Sequence, residues 1–179
     1  ANSEPLRACL LGVPGAGKST TIRWVKELLS TGFGYEDAIH FQCLAPQNTM
    51  AALIGGTTLH SWGAIPINAT AAQDQAASRK GRLHGDVVFE RTTSMRWLII
   101  DEISAVALFV LGILDDHLRR ACGRRRYHKR QDGTERPFGG INVLLAGDFW
   151  QLDPPDGGFL GNIPTEFIKK ARKFEPSAS

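Results

Sequence analysis

Gly12-Val13-Pro14-Gly15-Ala16-Gly17-Lys18-Ser19-Thr20 fits the spacing G-x-x-x-x-G-K-[ST] and stands between a strand candidate and a helix candidate. Before it, Leu6-Arg7-Ala8-Cys9-Leu10-Leu11 is short and apolar. After it, Thr21 to Ser30 repeats Ile22, Val25, Leu28 and Leu29 at helical spacing. A glycine-rich turn in that position lets successive N–H groups point inward, and the helix N-terminus adds partial positive charge. The turn is therefore a seat for a polyphosphate, built from Gly12, Pro14, Gly15, Ala16, Gly17, Lys18, Ser19 and Thr20. Lys18 would reach its β- and γ-phosphates, and Ser19 would offer its hydroxyl to Mg²⁺. A mere glycine-rich turn with an exposed lysine would account for the residues but not for the strand and helix that flank them.

The 179 residues, 42% apolar and 22% charged, suit one globular domain with a real core. A net charge of +3 permits an anionic partner without requiring one. Cys9, Cys43 and Cys122 lie far apart and outside any C-x-x-C spacing, which argues against a disulfide framework or a zinc site and for buried, reduced thiols in an intracellular protein. No apolar run has the length of a signal peptide or a membrane span, so no membrane partner is expected. The first residue is not Met, and the chain reads as an excised piece.

Further along, Ala38 to Ala45 supplies a second strand, stopped by Pro46, and Gln47 to Ile54 a short helix closed by Gly55-Gly56. Thr57-Thr58-Leu59-His60-Ser61-Trp62 then sets hydroxyls, an imidazole and an indole side by side. That mixture suits a phosphate-and-base surface, but on its own it is a weak signal beside the alternative of a buried Trp with capping hydroxyls. Residues 63–94 are polar and alanine-rich, with Arg79, Lys80 and Arg82 clustered and no strong periodicity, which suggests an insertion or small subdomain. Trp97-Leu98-Ile99-Ile100 runs into Asp101-Glu102. A buried parallel strand delivers such acids to the same sheet edge as the phosphate loop, where Asp101 can meet Mg²⁺ and Glu102 can orient or deprotonate a water. The alternative is an N-cap and first-turn acid for the helix expected over Ser104 to Ala121, whose Val106, Phe109, Val110, Ile113, Leu114 and Leu118 should pack on the sheet.

That helix ends in Arg119, Arg120, Arg124, Arg125, Arg126, Lys129 and Arg130, a run that would suit either a nucleic-acid-facing loop or a solvated one. Ile141 to Gly147 gives a fourth strand, and past its end Gln151 could position the water that attacks the γ-phosphate. There is no internal repeat.

Taken together, these stretches resemble the superfamily 1 DNA helicases of the petite-integration-frequency type. The phosphate loop resembles motif I of that family, Ile54 to Trp62 the latter part of motif Ia, Leu98 to Ser104 motif II, and Gly147-Asp148-Phe149-Trp150-Gln151-Leu152 motif III. Gln47-Asn48 stands where the family has Thr-Gly, and Asp153 where it has proline. The resemblance implies an α/β, three-layer RecA-like P-loop NTPase domain with a mostly parallel sheet. It implies ATP and Mg²⁺ as cofactors and a catalytic set of Lys18, Asp101, Glu102 and Gln151, with Ser19 and Asp101 on the metal. Pro46, Thr58, His60, Ser61 and Trp62 would touch single-stranded DNA.

By the same resemblance the whole enzyme is a monomeric 5′-to-3′ helicase acting at duplex junctions in nucleus or mitochondrion, in DNA repair, recombination and telomere maintenance. Residues 1–179 would be its first motor domain, without the second RecA-like domain that closes on ATP with an arginine. A motor half that holds nucleotide and DNA without unwinding is the first rival reading. Another phosphate-loop enzyme, such as a small-molecule kinase, would explain the acids but not His60-Ser61-Trp62.

Overall fold

The computed structural model of the chain describes residues 4–66, 80–123 and 128–150. Expectations for Arg79, Arg124, Arg125, Arg126, Gln151 and Asp153, and for the side chains of Lys80 and Arg82, fall outside the described residues.

The apolar runs bracketed by turn formers become strands, of which the inner ones are covered on both faces while the edge strand Arg7–Leu11 leaves one face exposed. β1 (Arg7–Leu11), β2 (Phe41–Ala45), β3 (Thr57–Thr58), β4 (Trp97–Ile100) and β5 (Asn142–Gly147) form one sheet in the order β1-β5-β4-β2-β3. Every pair is parallel. Alternate side chains feed two cores. Ile99, Cys43, Ala45 and Ala146 face α1 (Lys18–Glu27) and α2 (Asn48–Leu53), packing with Ile22, Ala51 and Ile54. Leu98, Ile100, Leu44 and Val143 face α3 (Leu59–Trp62), α4 (Lys80–Thr92) and α5 (Leu108–Cys122), packing with Leu59, Val88, Leu114 and Leu118. The result is the expected three-layer α/β domain with its parallel sheet in the middle.

Several expected boundaries move. α1 starts at Lys18, directly on the phosphate loop, and gives way after Glu27 to a wider π turn over Leu28–Gly32. Leu28 is expected inside, but six residues beyond Ile22 it stands about 120° round the helix, and it is exposed. β2 begins only at Phe41, because Ala38 occupies a turn at φ 62 with its N–H on the Asp37 carboxylate. β3 replaces an expected loop. α4 lies where the sequence shows no strong periodicity: Val88 is buried while its neighbours Val87 and Phe89 are exposed, so this helix holds on by a narrow stripe. A single 3₁₀ turn, Ile103–Ala105, separates Asp101-Glu102 from α5, which removes the reading of these acids as its cap. Cys43 and Cys122 are buried as expected, but Cys9 is exposed, since β1 is an edge strand.

Gly56 fixes how closely β3 can approach β2. A Cβ built there would lie 2.3 Å from the Cys43 carbonyl oxygen, which is backbone and cannot turn aside. Gly56→Ala should therefore cost about 1–3 kcal/mol, the range for overpacking a tight site, read as a lower urea midpoint at unchanged slope. A midpoint equal to that of the parent would show that β3 can retreat.

Candidate nucleotide and DNA site

The register of the sheet lines up the ends of three strands. Leu11 of β1 is level with Gly147 of β5, and Ile100 of β4 with Leu145, so the residues just past each strand emerge at one edge. The Gly12 N–H donates to the Gly147 carbonyl at 3.2 Å, which carries the ladder into the phosphate loop. The loop then turns tightly, with the Ala16 N–H on the Val13 carbonyl at 3.1 Å, and passes through Gly15 and Gly17 at φ 79 and 86. Those are left-handed values at which a Cβ is disfavoured, and Gly17 is the residue on which α1 begins. Lys18, Ser19 and Thr20 thus occupy the first turn of a ten-residue helix, whose N–H groups and dipole face the loop. Lys18 Nζ donates to the carbonyls of Gly12 at 2.6 Å and Val13 at 3.2 Å, which holds the ammonium at the mouth of the loop.

Asp101 and Glu102 come directly after β4 at the same edge. Asp101 is 6% exposed, and its Oδ1 accepts from the Glu102 N–H at 2.9 Å. Burial raises the Asp101 pKa above the usual carboxylate range, against the opposing pull of that hydrogen bond and of the Lys18 charge. The Glu102 pKa is raised too, first by burial and then by Asp101 and Asp148, while Lys18 again pulls it down. Lys18 and both acids therefore share one electrostatic environment. Glu102 also holds φ 51, a left-handed conformation rare for a residue with a side chain. Such strain gathers at functional sites because it aims a side chain that an ordinary turn would point elsewhere.

Asp148, given no role from the sequence, belongs to this group. It is buried just past β5, accepts from the Trp150 N–H at 3.0 Å, and acts electrostatically on Glu102. The available signal was its place one residue beyond an apolar strand, as Asp101 stands one residue beyond Trp97–Ile100.

The proposed DNA-contacting residues are brought to the same edge. Pro46 comes after β2, Thr58 closes β3 opposite Ala45, and His60 and Ser61 lie in the single turn of α3. Thr58 caps that turn, its Oγ1 accepting from the Ser61 N–H at 3.2 Å. Trp62 departs from the expectation. It is 4% exposed and packed in the core beside Leu59 and Leu114, so its indole cannot stack on a base. The exposed indole near this edge belongs to Trp150 instead, at 94% exposure. Of the basic run, Arg119 pairs with Asp115 at 2.8 Å, Arg120 with Asp116 at 2.8 Å and Arg130 with Glu4 at 3.2 Å. These described members are engaged within the chain.

Residues 6–157 match the profile of the family described as PIF1-like helicase. The chain belongs to that family. Among its relatives is the ATP-dependent DNA helicase RRM3 of Saccharomyces cerevisiae, 36% identical over 143 residues, which cover 80% of this chain and 18% of RRM3. A Bacteroides Pif1 solved in complex with ADP-AlF4 is 26% identical with a TM-score of 0.57, over 94% of this chain and 33% of the other. A structure of Pif1 helicases on forked double-stranded DNA, in which two helicases coordinate unwinding, gives 26% identity and a TM-score of 0.58, over 94% and 34%. The chain therefore spans about a fifth of the length of the curated relatives it matches. Among the described residues, no helix is long and apolar enough to cross a membrane.

The burial of Trp62 sets a direct test of its reassignment to the core. Trp62→Ala should lower stability by about 3–5 kcal/mol, the range for a large aromatic removed from a packed core, seen as a shift of the denaturation midpoint. A variant as stable as the parent would return the indole to the surface.

Proposed function

We propose that this chain is the first motor domain of an ATP-dependent DNA helicase. One observation carries the reading. A single sheet edge presents the phosphate loop, the buried acid pair and the segment Thr58 to Ser61, so nucleotide chemistry and a nucleic-acid surface share one frame. Family membership supports ATP hydrolysis as the chemistry, and RRM3 supports DNA unwinding as its use.

Loop N–H groups and the start of α1 would hold the phosphates, with Lys18 balancing the charge that gathers on the β–γ bridge. Mg²⁺ fits the donor set: the Ser19 hydroxyl and the Asp101 carboxylate are hard oxygens, and magnesium characteristically takes one or two such groups together with phosphate and water. Bound there, it would neutralise developing phosphate charge. Glu102 would accept the proton of the attacking water, aimed by its left-handed backbone and made more basic by burial and by Asp148. Gln151 would orient that water.

On the DNA side, Pro46, Thr58, His60 and Ser61 would contact the backbone of a single strand, and the exposed Trp150 would be free to stack on a base. Residues 63–94 would form an inserted subdomain, and α4 within it packs on the core through Val88. Travel from 5′ to 3′, action at duplex junctions as a monomer, and a nuclear or mitochondrial site belong to the same reading.

Two substitutions in the full-length protein test the chemistry. Lys18→Ala should reduce ATP affinity or turnover by at least about tenfold, the weight of one charge-assisted phosphate contact, with thermal stability unchanged; equal nucleotide affinity in mutant and parent would sink the assignment. Glu102→Gln should bind ATP normally and lose about 10²–10⁴-fold in hydrolysis, the worth of a positioned base. Parental turnover in that variant would remove Glu102 from the role.

A further inference from the structure

The segment from Gly55 to Trp62 is gripped at both ends by cationic side chains from other helices. At its start, Lys26 of α1 sends Nζ to the carbonyls of Ile54 at 2.9 Å and Gly55 at 3.4 Å, and pairs with the Asp37 carboxylate at 3.1 Å. At its end, Arg91 of α4 sends Nη1 to the carbonyls of Ser61 at 2.7 Å and Trp62 at 2.5 Å. His117 of α5 meets the next carbonyl, Gly63, at 2.8 Å. Between the two grips the chain cannot drift freely, because Gly56 lies against the Cys43 carbonyl and β3 is paired with β2.

The two grips differ in origin. Arg91 belongs to a helix that carries no part of the nucleotide site. Lys26 stands on the helix whose first turn holds Lys18, Ser19 and Thr20, about 12 Å along a rigid rod. Its three N–H donors meet three acceptors, two carbonyls and one carboxylate, so the ammonium is committed inside the chain rather than offered to DNA. The backbone makes room for it: Gly55 sits at φ +61, and a Cβ there would come within 3.2 Å of Nζ.

We propose that Lys26 is the positioning residue that couples nucleotide to DNA, by fixing the start of the DNA-contacting segment to the phosphate-loop helix. The inference rests on the reading of Thr58 to Ser61 as a DNA contact. A displacement of α1 when the loop closes on phosphates is passed through the Lys26 bonds to Ile54 and Gly55, and from there to Thr58. Coupling of this kind is reciprocal, so DNA held by the segment strengthens nucleotide binding by the factor that nucleotide strengthens DNA binding. Arg91 fixes the same segment to an element that does not sense nucleotide, and so contributes to DNA affinity without contributing to the coupling.

The test uses the full-length protein and a fluorescent single-stranded oligonucleotide, with affinity measured with and without ADP–aluminium fluoride. The ratio of the two affinities is the coupling factor. Lys26→Met should leave nucleotide-free DNA affinity within about twofold and bring the ratio down toward one, losing most of a typical 5- to 150-fold coupling. Arg91→Gln should weaken DNA binding equally in both conditions and leave the ratio intact. Lys26→Gln, which keeps a donor but loses the ion pair, should give an intermediate ratio and carries the test if the Met variant unfolds. A parental ratio near one, or an unchanged ratio in a folded Lys26 variant, overturns the inference. If the double variant His60→Ala, Ser61→Ala binds DNA like the parent, the fault lies with the DNA reading of the segment and not with the grip on it.

Discussion

The register of three parallel strands is the constraint on which the site depends. β5 separates β1 from β4, and its ladder sets Leu11 level with Gly147 and Ile100 level with Leu145, so both partner strands end toward the same edge. A slip of one residue in either pairing would move its partner strand about 3.3 Å along its axis and reverse which side chains face which core. Leu98 and Ile100 would then exchange places with Ile99, although the two cores are already filled by different helices. The register is thus held by apolar packing on both faces, and the chemistry is placed by it. Gly12, Asp101 and Asp148 reach their edge because the residues before them cannot pack in any other phase.

What that packing places is costly to keep. Asp101 and Asp148 are buried carboxylates, and both add to the burial that raises the free energy of ionising Glu102. Glu102 adds a strained backbone. Neither feature stabilises a ligand-free fold, and both suit a site in which phosphates and a cation complete the charge balance. Lys18 offsets part of the repulsion from the loop side, for its charge pulls the pKa values of both Asp101 and Glu102 down.

Much of this was legible because the determinants are local. A phosphate loop needs glycines at fixed spacing between a strand and a helix, and an acid after an apolar run marks a carboxyl edge; both patterns fit in a few consecutive residues. The misreadings have physical causes as well. The residues alone left Trp62 open between base and core, and the resemblance to motif Ia put it on the DNA, yet Leu59 and Trp62 are three apart and share one side of a single helical turn, which turns both inward and leaves His60 half-buried and Ser61 exposed. That spacing could have been read. α4 could not, since only Val88 of its Val87-Val88-Phe89 run is buried and the packing that selects it comes from distant α5. β3 is two residues long, too short to show alternation. The contacts of Lys26 with Ile54 and of Arg91 with Ser61 join residues about thirty apart in sequence, and nothing in the spacing of either cation announces them.

Two lysines of α1 show how the same group serves opposite ends of one helix. Both direct an ammonium at backbone carbonyls, and what separates them is the number of acceptors within reach. Lys18 has the carbonyls of Gly12 and Val13, neutral acceptors that account for two of its three N–H donors at the mouth of a loop suited to anions. Phosphate oxygens would be stronger acceptors for a charged donor than those carbonyls, so this lysine can exchange its partners. Lys26 has two carbonyls and a carboxylate, which satisfy all three donors in a partly buried place, and an incoming anion would have to break an ion pair to win it. The first lysine is therefore free to go with its ligand, while the second keeps the far half of the same rigid helix attached to the chain that leads into Thr58.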